Sequence, residues 1–368
     1  MTPGDLPAML DDLEELVLCE SFSADLDAVA ASAEVVAALG ARHLGARPET
    51  IVVDGVAHLR WSFGAPRVLL LGHHDTVWPI GSLRERPWSV TDGVARGPGV
   101  FDMKAGLVQM FHALGSLASL DGVCVLVNGD EELGSGTSRA LIEQNARACS
   151  ASLVLEASGN GGALKTARKG TSNYRVTAHG VAAHAGLEPE KGANAGVELA
   201  HQILAIAAMT DPTGRATTVT PTLISGGSSG NTVPALAAVT VDVRVTDQAA
   251  QDTVDAGMRA LTPRLAGTRL EVTGGPNRPP MAASSSAALF SLAGRVAEEL
   301  GLGPLSGVAV GGASDGNFSA GAGCPTLDGL GAVGGGAHAA DEHLIVDEMP
   351  RRAALLAGLV EALLKGRT

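Results

Sequence analysis

The sequence predicts an α/β protein with a mixed, mostly parallel central sheet flanked by helices, interrupted by an inserted α+β module. Three observations predict it. Val68–Leu71, Val123–Val127 and Ser152–Leu155 are apolar runs of the kind found in strands buried on both faces, and helix-period stretches separate them. From Gly170 the pattern changes to β-α-β-β-α-β, the ferredoxin-like arrangement. Within it Val239–Thr246 alternates valine with polar residues, so one face of that strand is wet. A chain of 368 residues is too long for one simple core, and the boundaries fall at 1–168, 169–280 and 281–368.

Leu6, Met9, Leu10, Leu13, Leu16 and Val17 recur at helical spacing and predict a helix over Pro7–Cys19. Ala24–Leu44 reads as a second, Ala-rich helix closing near Gly45. Thr50–Val53 and His58–Ser62 form a hairpin around Asp54-Gly55, a strong turn signal. The strand from Val68 breaks at Gly72 into His73, His74 and Asp75, and Pro79–Gly99 follows as a loop. Asp102 then precedes a helix over Lys104–Leu117. Val123–Val127 ends in Asp130, Glu131 and Glu132, before a helix over Ser135–Asn145, and Ser152–Leu155 ends at Glu156. The module reads as Thr171–Ala178, a very apolar helix Asn194–Met209, strands Thr217–Ile224 and Val239–Thr246, a helix Gln248–Leu261 and a strand Arg269–Thr273. The α/β pattern resumes with a helix Ser286–Leu300, a turn-rich Gly311–Asn317, a short strand Cys324–Leu327, Gly334–His338, and a closing helix Asp347–Leu364.

Composition narrows the function. A net charge of −13 argues against nucleic acid as a partner, because phosphate binding needs clustered Lys and Arg. No apolar run is long enough to span a bilayer, so no membrane partner is expected. The acidic N-terminus has neither the basic start nor the apolar core of a signal peptide. Cys19, Cys124, Cys149 and Cys324 are scattered without a Cys-x-x-Cys, which points to a reducing cytoplasm and away from a thiolate zinc site.

Three apolar strands end in His73, Glu131/Glu132 and Glu156, and a helix opens at Asp102. Open α/β sheets place their chemistry at the carboxyl ends of strands. His73 and Asp75 face the same side of an extended chain, so Asp75 can orient His73 while His74 points away. Each residue also has a plainer reading: Asp102 as a helix N-cap, the acids at 130–132 as a helix start. If His73, Asp102, Glu132, Glu156 and His338 share one pocket, two imidazoles and three carboxylates are too rich in nitrogen for calcium or magnesium. The set suits two zinc, cobalt or manganese ions bridged by one carboxylate, a pair that activates water and polarises a carbonyl. Glu131, the acid left beside Glu132, is then the natural general base.

Gly72-His-His-Asp-Thr-Val, Gly99-Val-Phe-Asp-Met-Lys-Ala-Gly, Asp130-Glu-Glu-Leu-Gly-Ser, the Glu156 segment and Gly335-Gly-Ala-His occur in that order. Together they resemble the di-zinc family of aminoacylases, desuccinylases and carboxypeptidases, and within it the glutamate carboxypeptidase (carboxypeptidase G) branch. The resemblance implies that His73, Asp102 and Glu156 hold one metal and His338, Asp102 and Glu132 the other, with Asp102 bridging. It implies that Asp75 orients His73, that Glu131 is the base, and that the Asp102–Met103 peptide is cis. The inserted module resembles that family's lid and dimerisation domain, which implies a homodimer and a site assembled by domain closure. Gly180-Val-Ala-Ala-His184-Ala-Gly matches its histidine motif, so His184 would stabilise an oxyanion from the partner subunit, although a polar turn residue is the plainer reading. Asn231 and Arg278 match positions that contact a substrate carboxylate. Arg244 matches too, though an Arg on a wet strand face is commonly solvated. The lysine that selects glutamate in that branch has no fixed counterpart; Lys165 and Lys169 lie near. The implied activity is metal-dependent cleavage of the amide of an N-acyl amino acid or small peptide. An N-deacylase of a different amino acid is the alternative, and a catalytically silent metal-binding homologue is the alternative outside enzymes.

Overall fold

A computed structural model describes residues 5–211, 213 and 216–367; the start of the acidic N-terminal stretch, residues 1–4, lies outside them. The chain divides into two compact units, Met1–Arg168 with Ala282–Thr368, and Lys169–Met281.

The first unit opens with α1 (Leu6–Leu18) and α2 (Leu26–Leu44). Asp25 caps α2 by accepting from Ala28 N, and Gly45 ends it in the left-handed conformation. β1 (Glu49–Val53) and β2 (Val56–Ser62) form a hairpin over Asp54-Gly55, both at positive φ. Next come β3 (Val68–His73), a short α3 (Ser82–Glu85), and a second hairpin of β4 (Ser89–Thr91) and β5 (Val94–Arg96). A wide turn, Val100–Lys104, contains the cis Asp102–Met103 peptide and leads into α4 (Ala105–Gly115). β6 (Val123–Asn128), α5 (Arg139–Ala148), β7 (Ala151–Val154) and β8 (Leu164–Arg168) complete this half.

The second unit runs β9 (Gly170–His179), α6 (Ala195–Ala207), β10 (Thr218–Gly226), β11 (Leu236–Val245), α7 (Gln248–Arg259) and β12 (Arg269–Arg278). Its strands form an antiparallel sheet in the order β10-β11-β9-β12. Val239, Val241, Val243 and Val245 are buried with Leu199 and Ile206 of α6 and Val254 and Met258 of α7, while Thr240, Asp242 and Arg244 stay half-buried. The period-two alternation in β11 thus separates a helix-covered face from a wetter one.

The chain then returns to the first unit with α8 (Ala283–Glu299), β13 (Gly307–Val310), α9 (Asp315–Gly321), β14 (Thr326–Leu327), β15 (Gly334–Gly335), β16 (His343–Ile345) and α10 (Glu348–Leu364). Among the described residues the main sheet has the order β1-β2-β6-β3-β7-β14; β6, β3, β7 and β14 are parallel and the β1–β2 hairpin is an antiparallel edge. Both faces are covered, which is why the parallel strands are apolar throughout. Val68, Leu70, Val123 and Val125 join a core with α1, α2, α4, α8 and α10, and Leu69, Leu71, Cys124 and Leu126 join another with Ile142, Ala146 and Phe318. No helix among the described residues is long and apolar enough to cross a membrane.

Three local expectations change, and one strand pair is unexpected. Pro79–Gly99 is not a plain loop, because Asp92-Gly93 at positive φ closes the β4–β5 hairpin on strands too short to read as such. The helix expected from Ser135 begins at Arg139, because Asp130 accepts from Thr137 N, Thr137 Oγ1 and Ser138 Oγ and holds the preceding residues as a turn. The turn-rich Gly311–Asn317 contains the start of α9, where Ser314 and Asn317 form a capping box that the glycines disguise. The β8–β13 pair carries no clear sequence signal, as each strand is short and neither is buried along its whole length.

Gly106 of α4 lies against the main-chain oxygen of Leu155, well inside the space a Cβ needs. Alanine favours a helix interior by about 1 kcal/mol, yet here the forced shift outweighs it. Gly106→Ala should therefore lower stability by about 2 kcal/mol, read as a lower thermal unfolding midpoint.

Candidate active site

The parallel register brings three strand ends to one edge of the main sheet. His73 pairs with Asn128, and Leu71 with Val154, so His73, the Glu131–Glu132 turn and Glu156 emerge side by side. Asp102 arrives from the wide turn before α4. His338 arrives from the loop between β15 and β16 and holds φ +60, a left-handed conformation costly for a residue with a Cβ. That loop is anchored near Asp102 because β16 pairs with β5, placing Leu344 opposite Ala95.

The side chains converge. His73 Nε2 is 3.5 Å from Asp102 Oδ1 and 3.5 Å from Glu156 Oε1. His338 Nε2 is 3.4 Å from Asp102 Oδ2 and 3.1 Å from Glu132 Oε2. One carboxylate therefore turns one oxygen to each imidazole. The ligating atoms of His73, Asp102 and Glu132 lie within 4.8 Å of one another, as do those of His73, Glu131 and Glu156.

Two of these atoms, His73 Nε2 and Asp102 Oδ1, are buried without a hydrogen-bond partner. Buried polar atoms are rarely left so, and an ion is one of the few explanations. The electrostatics agree. Burial works against the charge of His73, but the carboxylates of Asp102, Asp75 and Glu156 raise it well above the usual imidazole range. Asp102 and Glu132 push His338 up to about 10. Burial would raise Asp102, yet the imidazoles of His338 and His73 hold it well below the ordinary carboxylate range. Burial raises Glu132. The pocket thus concentrates acid and draws positive charge, which fits a divalent cation held by nitrogen and oxygen.

Asp75 sits behind this group, fully buried. His73 Nδ1 donates to the main-chain oxygen of Asp75 at 3.0 Å, which turns Nε2 toward the centre. The Asp75 carboxylate is farther, at 3.4 Å, and accepts instead from Glu131 N, Glu132 N and Ser23 Oγ. Its contact with the imidazole is therefore made mainly by its carbonyl. His74 points away, donating to Ala57 O at 3.1 Å, and burial lowers it to about 4.

Two further side chains hold the centre and left no sequence signal. Glu342, buried, accepts from Gly99 N at 3.0 Å, Phe101 N at 2.9 Å, Asp102 N at 3.1 Å and Trp78 Nε1 at 2.7 Å. It thereby ties the Asp102 turn to the strand that follows His338. Arg168 reaches Glu156 Oε2 at 3.6 Å while Asp328 fixes its guanidinium with contacts of 2.7 and 3.1 Å. Half-buried Lys165 lies within Coulombic reach of Glu156 and Asp102; burial lowers it below the usual lysine range.

The remaining candidates belong to the second unit. His184 is exposed, and its Nδ1 accepts from Gly186 N and Leu187 N, so the proton resides on the outward Nε2. Ala185 N donates to Asn231 O at 2.9 Å, which sets His184 and Asn231 on neighbouring segments. Arg244 and Arg278 pair with Thr171 from its two sides; Arg278 is buried, whereas Arg244 makes a two-pronged ion pair with Asp242.

A model of peptidase family M20/M25/M40 matches residues 69–362. Carboxypeptidase G2 of Pseudomonas sp. (strain RS-16) is 31% identical, over 98% of this chain and 90% of that protein. A succinyl-diaminopimelate desuccinylase of Methylorubrum extorquens (strain PA1) is 29% identical, over 83% of this chain and 85% of that one. Among solved structures, the M20 family metallo-carboxypeptidase Sso-CP2 from Sulfolobus solfataricus superposes with a TM-score of 0.78 at 16% identity, covering 96% of this chain and 99% of the other.

Glu342→Gln would set an amide NH2 against N–H donors. It should weaken divalent-metal binding by about 10–100-fold, measured by competition with a chelating dye. Trp78→Phe, which removes one donor and leaves the main-chain bonds, should cost less.

Proposed function

Because the chain belongs to peptidase family M20/M25/M40, and is thereby a metal-dependent hydrolase of acyl or peptide amide bonds, we propose that it releases a C-terminal amino acid from a small peptide or N-acyl amino acid with a pair of zinc ions. The observation that carries this reading is the Asp102 carboxylate divided between His73 and His338. His73, Asp102 and Glu156 would hold one ion, and His338, Asp102 and Glu132 the other. Imidazole and carboxylate without thiolate suit zinc, with cobalt or manganese as substitutes. When bound, the ions supply Lewis-acid polarisation of the scissile carbonyl and acidify the attacking water.

The chain's own groups do the rest. Glu131 takes the proton of the attacking water and passes it to the leaving nitrogen. Asp75 keeps the base in place through the N–H groups of Glu131 and Glu132. His184 of the partner subunit presents its Nε2–H to the developing oxyanion. Asn231 and Arg278 take the substrate carboxylate, and Arg244 joins them only by exchanging Asp242 for substrate. Lys165, half-buried near Glu156 and Asp102, is a further cation for an acidic substrate group. The similarity to the desuccinylase supports a second reading, N-deacylation of an acylated amino acid, since either substrate offers an amide beside an α-carboxylate.

We place the contact of the homodimer on the second unit. β10 is an edge strand of its sheet and exposes Leu223 and Ile224, while α6 exposes Val197 and Leu204. Four free thiols favour a reducing compartment such as the cytoplasm.

Glu131→Gln should retain metal and fold yet lose about 10²–10⁴ in kcat, assayed on a panel of dipeptides and N-acyl amino acids; a rate near wild type removes Glu131 from the role of base. On the same panel Lys165→Met should raise KM for acidic substrates by about tenfold while sparing neutral ones. Leu223→Asp with Ile224→Asp should halve the mass in sedimentation equilibrium, and an unchanged mass would place the interface elsewhere.

A further inference from the structure

A second group of metal-type side chains meets on the helical side of the first unit. Asp12 of α1, His43 near the end of α2 and His112 of α4 aim their ligating atoms at one point. Asp12 Oδ2 is 2.8 Å from His43 Nε2 and 2.7 Å from His112 Nε2. The two rings pack with centroids 4.2 Å apart. Side-chain exposure is 15% for Asp12, 21% for His43 and 8% for His112, so the group is largely shielded but not sealed from solvent. We propose that Asp12, His43 and His112 form a further binding site for a divalent transition-metal ion of the zinc type, separate from the amide-cleaving centre.

Both imidazoles present the same nitrogen to one carboxylate oxygen. A hydrogen-bonded clasp between helices needs one such ring; three protein ligands and an open fourth position are what a tetrahedral ion needs. With metal–ligand bonds of about 2.0 Å, tetrahedral neighbours stand about 3.3 Å apart. The present contacts must widen by roughly half an ångström, which side-chain rotation supplies. Both rings turn Nε2 toward Asp12. On coordination the Nε2 lone pair takes the ion, one ring proton stays on Nδ1, and any other ring proton leaves to solvent. Two imidazoles with one carboxylate favour zinc, cobalt, nickel or copper over calcium and magnesium.

The surroundings set the affinity. Arg42 Nη2 lies 3.0 Å from Asp12 Oδ1 and opposes a second cation, but Glu15 Oε2, at 2.6 Å, offsets that charge. Gly115 of α4 makes room for His43, because a Cβ there would meet the His43 carbonyl oxygen at 3.0 Å and Nδ1 at 3.5 Å.

Zinc alone is the probe. After equilibration of the full chain at micromolar free zinc, wild type should hold one zinc per chain more than His43→Gln or His112→Gln, with amide hydrolysis unchanged in both. Arg42→Gln should tighten that extra zinc by about tenfold. Wild-type crystals soaked in zinc should show an anomalous peak bonded to Asp12 Oδ2 and both Nε2 atoms, a measurement that needs no variant. Equal zinc content in wild type and the histidine variants overturns the proposal, even with a crystal peak, since that peak is then binding at crystal concentration only. Absence of the peak overturns it as well.

Discussion

Asp102 is a half-buried carboxylate whose two oxygens face two imidazoles, and the first unit is organised around keeping that charge in place. Burial alone would protonate it. The imidazoles oppose that, and a bound divalent ion would oppose it far more strongly. His73 ends the central strand of the parallel sheet, and His338 sits on a loop far along the chain. They can meet at one carboxylate only if the turn at Val100–Lys104 and the β15–β16 loop are fixed to each other. The β5–β16 pairing and the four donors converging on Glu342 make that connection.

Much of this architecture is legible in the sequence because its signals are local. Val68–Leu71 and Val123–Val127 are apolar at every position since helices cover both faces of the sheet, and the valines of β11 alternate since helices cover one. Parallel strands that end in His73, Glu131 and Glu156 must release those residues along one edge, so their meeting is also readable. Glu342 and Arg168 are not. A carboxylate that accepts main-chain N–H groups needs no particular spacing, because its partners are backbone atoms whose position depends on the finished fold. The β4–β5 hairpin escaped for a related reason: three-residue strands have too few side chains to establish a period, and the Asp92-Gly93 turn is visible only as a turn. Asp75 shows the limit at a single residue. Spacing puts it beside His73, but nothing in the sequence separates its carbonyl, which makes the shorter contact, from its carboxylate.

The acid excess divides along the same line. Asp75, Asp130, Asp328 and Glu342 do not face a shared vacancy; main-chain N–H groups, hydroxyls, an indole or a guanidinium compensate each of them. Glu132, Glu156 and Asp102 instead face one another and two histidines, an arrangement that suits a cation. Both kinds occur at strand ends, so composition cannot distinguish them. Their consequences differ. The first group has its partners as soon as the chain folds, which means that the turns carrying Asp102, Glu131 and Glu132 are set by protein bonds rather than by the ion. A centre held in that way presents its donors at fixed separations, and the attraction of the second group for a cation goes into binding instead of into ordering loops.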